Sequence, residues 1–161
     1  MYQRTVLPNG IRIITEYIPY IRSVTLGAWF EVGSRHETQH EWGISHFIEH
    51  MMFKGTRNYS ARDIAEVMDK RGGYLNAFTG KEQTCYYFKV LDEHYGTASE
   101  LLQQMLLYSL FSPADVAKEK NVVLEELRMY EDSPEELVHD LFANILWPED
   151  PLGRNIIGSH E

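Results

Sequence analysis

The chain is 161 residues long and 43% hydrophobic, which is enough for one domain with a sizeable core. Its formal net charge is −9, from 15 basic and 24 acidic residues. This balance argues against nucleic acid as a partner, because no basic stripe is available to neutralise phosphates, but it tolerates a basic or extended peptide. Cys85 is the single cysteine, so a disulfide framework is excluded.

No targeting or membrane segment is visible in the sequence. Residues 1–10 contain neither the apolar core of a secretory signal nor an Arg/Ser-rich presequence. No stretch approaches the roughly 20 apolar residues of a membrane span. We therefore expect a cytoplasmic protein without a signal peptide, a transit peptide or a membrane partner.

The first predicted elements are two strands and a buried helix. Residues 7–10, Leu-Pro-Asn-Gly, predict a turn because Asn-Gly is a strong hairpin signal. The alternating β-branched residues at 11–17 predict a strand, and the apolar residues at 23–32 predict a second, more central strand. Apolar side chains then dominate residues 42–54, which predicts a mostly buried helix that Gly55 closes.

A second helix and a hairpin follow in the chain. Ser60 is a candidate N-cap, and Asp63 occupies the capping-box position three residues later, so a helix is predicted from Ser60 to residue 71. Residues 74–79 and 82–91 are rich in threonine and aromatic residues and are separated by a Gly-Lys turn. This pattern predicts a β-hairpin.

Three helices make up the rest of the sequence. Leucine and methionine recur at helical spacing within residues 92–110. Ser-Pro pairs then start predicted helices at 113–132 and 134–147, because proline is favoured at the first helical position and serine at the cap before it. Strands first, then a hairpin, then successive helices predict an α+β fold, with helices packed on one face of a largely antiparallel sheet.

His46, Glu49 and His50 form the motif on which the functional prediction depends. Successive residues of an α-helix advance by about 100°, so these three side chains share one sector of the helix surface. Two neutral imidazoles one turn apart can bind one metal ion, and the carboxylate between them can take a proton from water. A metal also supplies the partner that buried polar groups need. His-x-x-Glu-His is the inverzincin signature of zinc hydrolases.

A catalytic zinc site needs a third protein ligand, and the helix predicted at 113–132 offers Glu126. Glu119 and Glu126 lie among the apolar positions of that helix and on nearly the same face. Glu125 is rotated by about 100° and is expected to face solvent. We predict Glu126 as the ligand and Glu119 as a residue that orients a histidine or a water. A structural ion pair is the alternative for both glutamates.

Other candidate residues have less support. His36 and His40 also have helical spacing, but they lie in a polar segment, so this pair is expected to be incidental. Cys85 has no histidine at a recognisable spacing and is expected to be a structural thiol. The remaining histidines show no metal-ligand spacing, namely His94, His139 and His160.

The motif and several further segments resemble the pitrilysin/insulinase family of zinc endopeptidases. Residues 46–56 resemble the family signature, and the segments at 7–10, 33–37, 72–79 and 122–126 stand in the family's order. The resemblance is strongest to mitochondrial processing peptidase β-subunits and their bacterial processing-protease-like relatives. It implies an N-terminal metallohydrolase half-domain of that type.

This resemblance implies a role for each residue of the site. His46, His50 and Glu126 would bind one Zn²⁺ per chain, and Glu49 would be the general base. Glu119 falls on the family's second acidic position, behind the ligands. The site residues that helical spacing predicts on the two helices are therefore the same as those that the resemblance implies.

The resemblance further implies that Asn76 and Ala77 hold the backbone of a peptide substrate. Physically, an extended peptide would add a strand to the exposed edge beside the metal. An ordinary hairpin strand is the alternative interpretation of these two residues.

Members of the family have two homologous domains that close on each other. Residues 1–161 are therefore expected to be a truncated, incomplete N-terminal zinc-peptidase domain that lacks the C-terminal homologous domain. Uncovered sheet edges and apolar faces promote association. We expect little activity from such a fragment alone, and association with the missing half, with another chain or with a second copy.

Three functions stay open on the sequence alone. The leading hypothesis is a zinc-dependent endopeptidase that hydrolyses extended or unstructured peptides. The alternative is a non-catalytic peptide-binding or assembly subunit of a family heterodimer. A zinc hydrolase with a non-peptide substrate is the third.

Overall fold

The computed structural model describes residues 1–160, which form five strands and five α-helices. The strands are β1 (Tyr2–Val6), β2 (Arg12–Glu16), β3 (Ser23–Phe30), β4 (Tyr74–Thr79) and β5 (Thr84–Leu91). The helices are α1 (Ile44–Met52), α2 (Ala61–Asp69), α3 (Tyr95–Tyr108), α4 (Pro113–Glu131) and α5 (Pro134–Leu146). None of these helices is long and apolar enough to cross a membrane.

The strands form two antiparallel sheets. β1 and β2 pair as a separate hairpin, whereas β3, β5 and β4 form a three-stranded sheet in that order. The predicted pairing of β4 with β5 is confirmed, with Ala77 opposite Tyr86. The sequence analysis did not predict β1, because its residues lack a clear alternation and only the pairing with β2 reveals the strand.

Helices cover one face of the three-stranded sheet. Alternation along β5 points Tyr86, Phe88 and Val90 into the interior, where each is at most 4% exposed. Trp29 and Phe78 lie exposed on the opposite face. The helical part of the same core is Met52, Ile64, Met68, Ala98, Leu101, Leu102 and Met105. α4 packs on α1, and α5 packs on α4. The predicted α+β fold is therefore confirmed.

Local sequence sets most helix ends. Ser60 caps α2, and its capping box with Asp63 is formed in both directions, as predicted. Ser112 and Ser133 cap α4 and α5 immediately before their first-turn prolines. α1 is shorter than predicted, because Gly43 adopts a left-handed conformation with φ 93° and the helix begins only at Ile44.

Two of the other predicted boundaries also shift. The strand predicted from residue 82 begins at Thr84, after the turn. The helix predicted over 92–110 starts with a single 3-10 turn at Asp92–His94 and becomes α-helical at Tyr95. These shifts lie at element ends, where turn and helix geometry compete.

The β1 and β2 strands are exposed at every residue, and α5 contains no buried residue. Along α5, exposed apolar side chains recur at the spacing of one helical face, at Val138, Leu141, Phe142 and Ile145. Both regions therefore present apolar surface that the described residues do not cover.

Candidate metal centre

The three residues predicted as zinc ligands converge in the structure. His46 and His50 lie one turn apart on α1, and Glu126 faces them from α4. One ligand atom from each lies within 4.8 Å of the others. Glu126 Oε1 is 3.7 Å from His46 Nε2, and Glu126 Oε2 is 3.3 Å from His50 Nε2. Two imidazole nitrogens and a carboxylate oxygen form a His₂Glu donor set, which fits zinc.

The rotation of α4 explains why Glu126 rather than Glu125 faces α1. Val123 and Leu127 are buried and fix the inner face of this helix. Glu126 lies beside that face and is partly buried. Glu125 is exposed and forms a surface ion pair with Arg128, as the helical spacing predicts.

Glu119 lies behind His50, where the sequence placed an orienting carboxylate. Its side chain is buried, and Oε1 is 2.8 Å from His50 Nδ1 while Oε2 is 2.6 Å from Lys54 Nζ. Burial alone raises the pKa of this carboxyl, but hydrogen bonds from Lys54 and His50 outweigh it and hold the pKa below its usual range. Glu119 is therefore an anion that accepts two hydrogen bonds.

His46 is held differently from His50. Its Nδ1 is buried and has no hydrogen-bond partner among residues 1–160. Burial, followed by the nearby His50, lowers the pKa of His46. The His46 imidazole is therefore neutral at physiological pH, which is the form that binds a metal.

Glu49 lies on the same face of α1 as the two histidines and contacts the sheet. Thr79 at the end of β4 donates a hydrogen bond from Oγ1 to Glu49 Oε2 at 2.5 Å. Thr79 thereby fixes one oxygen of the Glu49 carboxylate.

Asn76 and Ala77 lie on β4, which is an edge strand of the three-stranded sheet. The Asn76 amide oxygen accepts the Ala77 backbone N–H at 2.9 Å, and its Nδ2 donates to the Tyr74 hydroxyl at 2.5 Å. On this edge strand the Ala77 N–H thus has a side-chain acceptor.

The start of α1 is held by a residue that sequence analysis did not single out. Glu37 is 6% exposed and accepts the backbone N–H groups of Gly43 and Ser45 at 2.8 and 2.7 Å. These are groups at the helix N-terminus that otherwise lack partners. A Cβ on Gly43 would lie 2.5 Å from the Ile157 carbonyl oxygen, so only glycine fits this crossing.

Lys54, Thr79 and Glu37 are the contacts of the site that the sequence analysis missed. Each lies within a segment that carries the family resemblance, at 33–37, 46–56 or 72–79. Membership of these segments was the only sign in the sequence that the three residues belong to the site. The partner of each residue is distant in the chain or lies on another element, so local patterns do not reveal the contact.

The other candidate histidines and Cys85 are not members of the donor set. His36 Nδ1 accepts the Gly33 backbone N–H at 3.2 Å, which is a local turn contact. Cys85 is 1% exposed, and burial raises the pKa of its thiol. His160 pairs with Glu131 at 3.1 Å. Within residues 1–160, His46, His50 and Glu126 are the group with metal-binding geometry.

Several known proteins are similar to this chain. It is 52% identical over 161 residues to a Bacillus subtilis protein described as uncharacterized zinc protease YmxG, covering 100% of this chain and 39% of that protein. It is 48% identical over 157 residues to an uncharacterized zinc protease of Streptomyces coelicolor, covering 98% of this chain and 34% of that protein. The chain thus spans between a third and two-fifths of the length of these relatives.

A solved structure and a family model agree with these relatives. The crystal structure of a protease from Helicobacter pylori superposes with a TM-score of 0.93 at 25% identity, over 99% of this chain and 39% of that one. The sequence model of the family described as insulinase, peptidase family M16, matches residues 12–160. These matches confirm the resemblance that the His-x-x-Glu-His motif and its neighbouring segments indicated, and the chain belongs to the insulinase family, peptidase family M16.

Proposed function

We propose that residues 1–161 are the zinc-carrying N-terminal part of a metalloendopeptidase that hydrolyses extended or unstructured peptides. The observation that carries this proposal is the convergence of His46, His50 and Glu126 beside Glu49. Names of similar proteins support the class, since both curated relatives are described as zinc proteases. We propose one Zn²⁺ per chain, held by these two histidines and Glu126.

The chemistry divides between the metal and the side chains around it. Zinc, when bound, polarises a carbonyl and lowers the pKa of water. Glu49 accepts the proton of the attacking water and later gives it to the leaving amine. The hydrogen bond from Thr79 holds the Glu49 carboxylate in place for both transfers. Glu119 keeps the His50 ring in one orientation.

The substrate peptide pairs with the open edge of β4. Asn76 and Ala77 offer a backbone edge that no strand among residues 1–160 occupies. A peptide carbonyl would replace the Asn76 side chain as acceptor for the Ala77 N–H, which frees the Asn76 amide to hold the peptide. Backbone pairing of this kind requires an extended chain, which explains the preference for unstructured peptides.

Full activity requires more than residues 1–161. The chain spans 39% and 34% of the length of the two relatives. In addition, α5 and the β1–β2 hairpin carry exposed apolar side chains. We propose that a homologous second domain, or another chain, covers part of this surface and completes the substrate chamber. Residues 1–161 alone then bind zinc but cleave peptides slowly.

The Glu49→Gln substitution tests the mechanism. In the full-length polypeptide, it should retain one zinc per chain by metal analysis and lose at least about 100-fold in cleavage of an unstructured peptide, because it removes the general base. Glu125→Gln is the matched control, since that carboxylate faces solvent, and its activity should be unchanged. Unchanged cleavage by Glu49→Gln would exclude this mechanism.

A non-catalytic assembly subunit is the second candidate function. The apolar face of α5 favours it, because a large exposed patch is typical of an interaction site. Metal analysis and a cleavage assay on the full-length polypeptide separate the two functions. Zinc binding without turnover of any unstructured peptide would favour the assembly role, and turnover that depends on Glu49 would exclude it.

A further inference from the structure

The Glu119 carboxylate lies between two hydrogen-bond donors, His50 on α1 and Lys54 just after the end of that helix. It is 3% exposed and comes from α4. His50, in the last turn of α1, is 2.8 Å from Oε1, and Lys54, two residues beyond the end of that helix, is 2.6 Å from Oε2. The Lys54 side chain is 33% exposed, and its ammonium group contacts a carboxylate whose side chain is only 4% exposed.

The geometry also fixes which nitrogen of His50 carries hydrogen. A carboxylate only accepts hydrogen bonds, so His50 Nδ1 must be the donor to Glu119. Nε2 then carries the lone pair and points at Glu126, 3.3 Å away. By contrast, His46 Nδ1 has no partner among the described residues. Hydrogen bonding thus orients one of the two imidazoles, and that orientation depends on Glu119.

We propose that Lys54 is a positioning residue of the metal centre that acts through Glu119. By holding Oε2, Lys54 keeps the carboxylate turned so that Oε1 stays on His50 Nδ1. Without the ammonium group of Lys54, the Glu119 carboxylate can change its side-chain rotamer. Its hydrogen bond to the His50 ring is then lost. This inference rests on the proposed function only in assuming that His50 is a zinc ligand.

The zinc affinity of the full-length polypeptide, measured by competition with a chelator, tests the proposal without any activity assay. Lys54→Met should weaken zinc binding about tenfold, the usual effect of losing an outer partner of a ligand. Lys54→Arg, which keeps a cation in reach of Oε2, should restore most of the affinity. Lys70→Met is the matched control, because Lys70 forms an exposed pair with Glu66 at 2.7 Å, and it should leave zinc affinity unchanged.

A double-mutant cycle separates positioning from general packing. If Lys54 acts through Glu119, Lys54→Met should add less than about twofold to the effect of Glu119→Gln, because residues of one network are not additive. The proposal would be overturned if the losses of zinc affinity from Lys54→Met and Glu119→Gln multiplied in the double variant. It would also be overturned if Lys54→Met bound zinc as tightly as Lys70→Met. Should Lys54→Met fail to fold by circular dichroism, Lys54→Gln in the same cycle decides between these outcomes.

Failure of the proposed function would look different. If the unaltered chain and His50→Ala bind zinc equally, the zinc assignment itself is wrong. If His50→Ala abolishes binding while Lys54→Met does not weaken it, only the role of Lys54 is wrong.

Discussion

The metal centre and α5 show opposite relations between side-chain chemistry and burial. At the metal centre, the polar side chains of Glu119 and Glu37 are buried and each accepts two hydrogen bonds. On α5, the apolar side chains of Phe142 and Ile145 are 62% and 77% exposed. Buried polar groups are costly unless they are paired, and exposed apolar groups are costly unless a partner covers them.

The difference shows which part of the structure is supported by contacts within residues 1–160. Glu119 of α4 holds the His50 ring, and Thr79 of β4 holds the Glu49 carboxylate, so the candidate site is internally supported. The outer surface of α5 has no such support from this part of the chain. We therefore expect site substitutions to change zinc binding, and α5 substitutions to change association.

Removal of a proposed zinc ligand should give the largest effect, and it tests the first half of this comparison. His50→Ala removes an imidazole that faces Glu126 and should weaken zinc binding by more than about 100-fold, which exceeds the loss of an outer partner. His139→Ala is the control, because His139 is exposed on α5, and it should not change affinity. Chelator competition measures both, and equal affinities would contradict the zinc site.

Phenylalanine substitutions in the core and on α5 should differ in how much they lower the free energy of unfolding. Phe88→Ala removes a ring that is 0% exposed, and it should lower the free energy of unfolding by about 3–5 kcal/mol. Phe142→Ala removes an exposed ring and should change it by less than about 0.5 kcal/mol. Urea denaturation followed by circular dichroism measures both, and a large loss from Phe142→Ala would show that α5 is already packed.

Polar substitutions on α5 should reduce self-association while they leave the metal centre intact. The double variant Phe142→Gln, Ile145→Gln removes the two most exposed apolar groups of this face and should raise the dissociation constant of self-association about tenfold or more, because clustered apolar anchors dominate interfaces. Sedimentation velocity measures this change. Ile14→Gln is the control, because it also replaces an exposed apolar side chain, but on the β1–β2 hairpin. An equal rise in the dissociation constant from this variant would exclude α5 as the interface.

Features that depend on sequence periodicity could be predicted from the sequence. Ser60 and Asp63 marked the start of α2, because a capping box is local. Glu119 and Glu126 were placed on one face because helical phase is set by the chain itself, and the structure brings both to α1. The roles of Glu126 as zinc ligand and of Glu119 as orienting residue stay predictions, which the zinc measurements test.

Features that depend on distant partners could not be predicted in this way. Lys54 contacts a residue of α4, and Thr79 contacts Glu49 across the interface between β4 and α1. Nothing in the local pattern around either residue encodes that pairing. β1 was missed for the same reason, since Tyr2–Val6 is a strand only because β2 lies beside it.

The α2 cap should give the smallest effect, because it is exposed and remote from both compared regions. Ser60→Ala removes the side chain that accepts the Asp63 N–H and should cost about 1 kcal/mol of stability at neutral pH. Hydrogen bonds from the Ser60 hydroxyl and then from its backbone N–H lower the pKa of Asp63 from its ordinary value of 3.8. A lowered carboxyl pKa stabilises the fold above that value, and the stabilisation disappears as the pH falls through the folded-state pKa. The difference in thermal midpoint between the unaltered chain and Ser60→Ala should therefore shrink below about pH 4, while zinc affinity at neutral pH stays unchanged.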